Sequence, residues 1–254
     1  MKTHKLQKLI AAAALSAALA MPAFAQDYTL RVQTHYSAES INGKNAAQFA
    51  RDVEAMSGGR LKMEMFFSSS VVKSVETFGA AADGILDIDM TGAAYQGGRD
   101  KGFQFLGDLL GAYNTPWQQT AWLKYGGGRA LADELYGEHG MHLVCWWWPG
   151  PESLTSTKPL SGLKDLKDWK FRSPPGLETD IFAALGAKPV VIDFTEIFNA
   201  LNTGIVDGAD ASSLANNVGF GFFDIAKHAT FPGFHSMPAD HVAVNKQKWQ
   251  SRPS

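Results

Sequence analysis

The chain has 254 residues, with 23 Lys and Arg against 25 Asp and Glu, 45% hydrophobic residues and a single cysteine. That length is enough for two modest lobes sharing a connection. The slightly acidic balance argues against nucleic acid as a partner, since a phosphate backbone calls for a basic face, and one thiol cannot form an internal disulfide.

Lys2, Lys5 and Lys8 precede an apolar run from Leu9 to Ala20, followed by Met21, Pro22 and the small-x-small triplet Ala23-Phe24-Ala25. This is the pattern of a secretory signal cleaved before Gln26. The run is too short for a membrane span, which needs roughly 20 residues. The mature chain is then 229 residues with 20 basic and 25 acidic side chains, exported to the periplasm. Cys145, inside Leu143-Val144-Cys145-Trp146, reads as a buried structural thiol.

The alternation over Tyr28 to Val32 predicts a strand, and Gln33 to Ser40 a polar loop. Ile41, Ala46, Phe49, Val53 and Met56 recur at helical spacing and end at Gly58-Gly59. A strand is expected over 61–67, a helix over 75–82 and a short strand over 85–90. Strands separated by helices of this length indicate a parallel α/β sheet. Residues 92–115 read as loop with a short helix. Pro116 opens a helical segment to Tyr136, interrupted by Gly126-Gly127-Gly128. Met141 to Trp148 is an apolar strand closed by Pro149-Gly150-Pro151, a candidate crossing between lobes. Beyond it come a strand at 170–173, a helix at 176–185 stopped by Gly186, and a strand at 189–192. A helix capped by Thr195 runs to Asn202. A strand at 205–209, a helix at 217–227 and a strand at 228–231 returning towards the first lobe complete the expectation.

No His-Glu-x-x-His, Gly-x-Ser-x-Gly or phosphate-binding glycine loop is present. His139 and His142 flank Gly140, so they do not share a helical face and read as a solvated pair. Arg172 ends the short strand Lys170-Phe171-Arg172-Ser173 before Pro174-Pro175-Gly176. Strand ends are where α/β sheets present ligand sites, and a guanidinium can hold a carboxylate through two parallel hydrogen bonds. A surface arginine at a strand end is the plain alternative. Asp210 lies at a similar level and suits a cation, a substrate hydroxyl or Arg172, or else is a turn aspartate. Glu152 in the Pro-Gly-Pro loop invites the same pair of readings. The run Trp146-Trp147-Trp148 must put side chains on both faces of its strand, with Trp147 a candidate for an apolar pocket wall. Tyr95 and His35 sit in loops that could face a cleft.

The stretch Lys158-Pro159-Leu160, then Leu163-Lys164-Asp165-Leu166-Lys167-Asp168-Trp169-Lys170-Phe171-Arg172-Ser173-Pro174, resembles the signature of TRAP-transporter substrate-binding proteins, the DctP/TakP-like family. So do Leu185-Gly186-Ala187-Lys188-Pro189-Val190, Glu196-Ile197-Phe198-Asn199-Ala200-Leu201 and Gly204-Ile205-Val206-Asp207-Gly208. Tyr125-Gly126-Gly127-Gly128, Phe231-Pro232-Gly233-Phe234-His235 and Asn245-Lys246 with Trp249 look most like the branch that binds 2-oxo acids and related carboxylates.

The resemblance implies an α/β, two-lobe periplasmic binding protein fold of type II-like architecture. Lobe I would cover 27–150 with 236–254 returning to it, and lobe II 151–235. It implies a non-enzymatic solute-binding protein that closes on a small organic acid, grips its carboxylate with Arg172 and delivers it to TRAP membrane permease subunits. A sensor subunit of a signalling system and a truncated member of the family are the alternatives. No cofactor is expected. Some members of this branch bind a cation, sodium or calcium, with the acid, and Asp210 falls where they carry a glutamate. Ala211, Ser212 and Ser236 depart from the pattern, and Ser236 stands where an acidic group is expected. The bracing helices that family members carry beyond Trp249 have no counterpart in Gln250-Ser251-Arg252-Pro253-Ser254.

Overall fold

A computed structural model describes residues 28–233 and 236–251. The expected signal over 1–25, the pair Phe234-His235 and the last three residues lie outside them. Two five-stranded sheets organise the chain. The first has the order β2-β1-β3-β10-β4, built from β1 (Tyr28–Thr34), β2 (Leu61–Phe66), β3 (Ile88–Met90), β4 (Met141–Trp147) and β10 (Asp240–Asn245). The second has the order β7-β6-β8-β5-β9, from β5 (Thr155–Ser156), β6 (Lys170–Ser173), β7 (Lys188–Val191), β8 (Gly208–Ala209) and β9 (His228–Ala229). The chain therefore passes from one sheet to the other after β4 and returns after β9.

Local signals place most of these elements. Ser40 caps the helix Ile41–Met56 by accepting from the Gly43 amide, and Gly58 and Gly59 end it at positive φ. Thr115 and Pro116 start the helix Pro116–Tyr125, and Gly127 at φ +100° separates it from the helix Gly128–Glu138. β1 pairs in parallel with β2 and β3, and β6 with β7 and β8.

Five expectations are corrected. The sheets are mixed, because β10 runs antiparallel to both β3 and β4. β9 pairs with β5 and stays in the second sheet, so the return is made by β10, where every residue is buried. The cap expected at Thr195 belongs to Asp193, which accepts from the Thr195 amide because its carboxylate reaches two residues on. Gly221 at φ +75° divides the expected helix at 217–227 into the helix Leu214–Gly219 and a single 3-10 turn. His142 is also no solvated partner of His139, since it stacks on Trp249 at 4.2 Å between ring centroids.

β10, between β3 and β4, is apolar on both faces at its centre, as an interior strand covered on both sides requires. Val242 and Val244 pack with Val32, Ile88 and Met90, while Ala243 faces Phe78, Phe103, Tyr136 and Leu143. The second sheet carries its own cores. Trp169 stacks on Phe171 over Leu154, Leu166 and Phe182, and Ile197, Leu201, Val206 and Phe222 pack on the other side.

Candidate functional site

Arg172 is held at the end of β6, level with Ala209 of β8, and is 2% exposed. Its Nε donates to the Ile192 carbonyl at 3.0 Å and its Nη1 to the Asp210 carbonyl at 2.7 Å. The Phe194 ring lies 5.9 Å from its Cζ, and the Tyr95 phenol hydrogen-bonds to it. Burying a guanidinium costs several kcal/mol, and two carbonyls offset only part of that.

A small cavity of about 40 Å³ lies between the two sheets, with Arg172, Tyr95, His35, Glu152 and Asp210 all on its wall. Five of the six side chains singled out from sequence thus meet in one place. Trp147 does not join them. It packs edge-on against Tyr36 at 5.5 Å, and Tyr36 is the residue that faces the cavity. Sequence reasoning missed Tyr36, Asp108 and Asp240, which complete the wall, and Glu178 behind it. None carries a spacing signal: Asp108 sits in a glycine-rich loop, and Glu178 in a first helical turn, where acids are ordinary.

The carboxyls form one buried group. Oxygens of Asp108, Glu152 and Glu178 lie within 4.8 Å of one another. The Ser236 hydroxyl stands 2.6 Å from Asp108 Oδ2 and 2.7 Å from Glu152 Oε2. Burial, then Asp210 and Asp108, push the Glu152 carboxyl well above the usual range. Burial and Asp210 do the same to Glu178. Asp240, which accepts from the Tyr36 hydroxyl at 3.0 Å, is pushed up to about 7, chiefly by burial. His35 is held down to about 3 by burial and by Arg172, so its ring is neutral at ordinary pH.

Backbone crossings set this geometry. The Glu152 amide donates to the Ser236 carbonyl at 3.0 Å, so the outgoing and returning segments run side by side. Asn217 Nδ2 donates to the carbonyls of Ser153 and Ser212 and ties the outgoing segment to the second sheet. Two contacts then join parts of the chain that belong to different sheets. Asp193 accepts from the Ser74 amide at 2.8 Å and hydroxyl at 3.0 Å, and Gln104 Oε1 accepts from the Leu177 amide at 3.2 Å. A larger hollow of about 510 Å³ lies on the second sheet's side, but its wall is almost wholly apolar and carries no charged group.

The family model for bacterial extracellular solute-binding protein, family 7, matches residues 32–254. The C4-dicarboxylate-binding periplasmic protein DctP of Rhodobacter capsulatus is 28% identical over 251 residues, 97% of this chain and 73% of that one. The chain spans less of other curated relatives, 63% of one and 57% of another. Among solved structures, an unliganded open TRAP periplasmic solute-binding protein from Rhodobacter sphaeroides is 35% identical, with a TM-score of 0.64 over 89% of this chain and 72% of that one. One from Sulfurospirillum deleyianum with bound succinate is 26% identical, with a TM-score of 0.81 over 90% and 73%. With its two-sheet fold and the match over nearly all described residues, the chain belongs to the bacterial extracellular solute-binding proteins, family 7.

Proposed function

We propose that this protein is the periplasmic binding component of a TRAP-type transporter, capturing a small organic acid and delivering it to the membrane permease. The observation that carries this reading is Arg172, a buried guanidinium fixed by two carbonyls on the wall of a cavity between the two sheets. Such an anchor is pre-organised for a carboxylate. The relatives' names support it, one being called a C4-dicarboxylate-binding periplasmic protein. No described helix is long and apolar enough to cross a membrane. Among the described residues the cavity wall includes no serine, cysteine or lysine, and His35 is too weak a base for proton abstraction near neutral pH. These groups suit the binding of a carboxylate.

The ligand enters by lobe opening. About 40 Å³ is close to one water's share of liquid volume, so the arrangement is a closed one. The better superposition on the succinate-bound relative than on the open one, despite lower identity, supports this. The lobes divide near residues 150 and 235, the two crossings described above. The oxygens of Asp108, Glu152 and Glu178 are grouped closely enough to surround a small cation, with Asp210 beside them.

Thermal unfolding of the mature chain against 2-oxo acids, hydroxy acids and dicarboxylates tests the reading. A ligand at 100 times its dissociation constant adds about 2.7 kcal/mol. A shift with one acid class supports it; a cooperative transition that no acid moves rejects it.

A further inference from the structure

The small cavity ends at a ring that serves two spaces. His35, 3% exposed, lines both the cavity at Arg172 and a larger hollow of about 310 Å³ whose wall includes Phe194, Phe198 and Phe220. On the cavity side its ring lies 4.0 Å from Tyr36 and 5.8 Å from Tyr95, and on the hollow side 4.6 Å from Phe194. Phe194 in turn stands 5.9 Å from the Arg172 Cζ and packs edge-on against Phe220 at 5.5 Å. A file of rings therefore leads from the guanidinium into the hollow. The hollow sits at the carboxyl ends of parallel strands. Ser37 and Ser68 on its wall follow β1 and β2, and Phe194 follows β7, beside the end of β6 that carries Arg172. Strand ends of this kind are where α/β sheets present their ligands. Both sheets contribute, so the hollow takes shape by the same approach of the sheets that encloses the cavity.

Two details argue that the ligand uses both spaces. A cavity of about 40 Å³ accommodates little beyond a carboxylate, whereas about 310 Å³ falls in the range of small-molecule sites. His35 Nδ1 is buried and finds no hydrogen-bond partner among the described residues. Turning the ring sacrifices no bond at that atom, and a polar atom of the ligand beside it would satisfy it. Burial and Arg172 keep the imidazole neutral, so it can lie against an apolar group without stripping water from a charge. Resting on the reading of Arg172 as the carboxylate anchor, we infer that the ligand is an aromatic carboxylic acid, its carboxylate on Arg172 and its ring in the hollow against Phe194, Phe198 and Phe220, with His35 flanking the atoms between. Aromatic pairs favour the edge-to-face and offset contacts that these rings offer. Phe198, 41% exposed although large and apolar, gains a partner in this arrangement.

The test is calorimetric titration of the full chain, with and without sodium or calcium, using matched pairs of acids. Phenylacetate is compared with acetate, 3-phenylpropionate with propionate, phenylpyruvate with pyruvate and 3-phenyllactate with lactate. At least one aromatic acid should bind about tenfold to a hundredfold tighter than its aliphatic partner, the gain that burying a ring supplies, and the two should compete. Phe198→Ala should shrink that ratio about fivefold or more, and Phe198→Leu should shrink it less, while circular dichroism shows the fold retained. Equal or tighter binding of the aliphatic acids overturns the inference and leaves the carboxylate anchor standing. A preference for aromatic acids that Phe198→Ala does not reduce, or simultaneous binding of both partners, does the same. Aromatic binding that persists in Arg172→Ala also overturns it, since the ring then lies in another apolar hollow, and loss of the aliphatic acids in that variant keeps the anchor. If no acid of either kind binds a cooperatively folded chain, the anchor and the aromatic ligand fail together.

Discussion

At the scale of single residues, Arg172 and its acids dominate. Arg172→Lys keeps the charge but loses the planar fork and the two carbonyl bonds. Breaking a buried charged contact costs about 2–5 kcal/mol in binding, so titration with the preferred acid should show affinity falling by roughly thirtyfold or more. An unchanged dissociation constant would exclude Arg172 as the anchor. Asp240 gives a pH signature. Its carboxyl ionises near 7 in the folded protein against a usual 3.8, so the folded state holds a proton that the unfolded chain releases. The stability this group contributes is fully present below about pH 4 and is lost as pH rises towards 7. Asp240→Asn, which still accepts from Tyr36, should flatten that fall in melting temperature between those limits; parallel profiles for the two proteins would show Asp240 is not responsible.

Much of the residue-level site was legible because a few side chains have chemistry that their surroundings betray. Arg172 before a Pro-Pro-Gly stop, and Glu152 and Asp210 at chain turns, could be singled out one by one. Asp108 and Glu178 could not. They are far apart in sequence, in local settings where an acid needs no special reason, and only the meeting of a loop with a helix start makes them neighbours. Trp147 failed for the opposite reason. The strand's alternation allowed it to face a pocket, but Tyr36 occupies the nearer position.

At the scale of elements, tight backbone approaches and cross-sheet hydrogen bonds fix the cleft. Gly208 in β8 has no room for a side chain: a methyl there would collide with the Trp169 ring and the Thr155 carbonyl. Gly208→Ala should therefore destabilise by about 1–3 kcal/mol, read as a lowered denaturation midpoint with unchanged slope. An unchanged midpoint would mean that β5 and Trp169 yield easily. Asp193 caps a turn of the second lobe while accepting two bonds from Ser74. Burial raises its pKa, but bonds from Thr195 and Ser74 outweigh that and hold it below the usual value. Asp193→Ala should favour the open form and weaken ligand binding several-fold, through a smaller closed population. Small-angle scattering of the liganded variant would show a radius larger than wild type; identical radii and affinities would count against a closing role. The glycines and caps behind most helices were visible in sequence, whereas the shift of the cap from Thr195 to Asp193 was not, because both residues are good caps.

At the scale of the whole molecule, the two crossings near Glu152 and Ser236 lie side by side, the Glu152 amide donating to the Ser236 carbonyl. On the proposed lobe closure, saturating ligand should reduce the radius of the unliganded protein in small-angle scattering; identical radii with and without ligand would count against it. The sequence by itself determined most elements of the α/β scaffold and the family signature, and it singled out the arginine proposed as the carboxylate anchor. These depend on side-chain periodicity, turn residues and the chemistry of one arginine, all of them local properties. Tertiary structure alone decided that β10 returns between β3 and β4 in the first sheet, since strand pairing depends on partners remote in the chain. It alone gathered Asp108, Glu152, Glu178 and Asp210 behind Arg172, because the repulsion among buried carboxyls exists only once folding removes them from water.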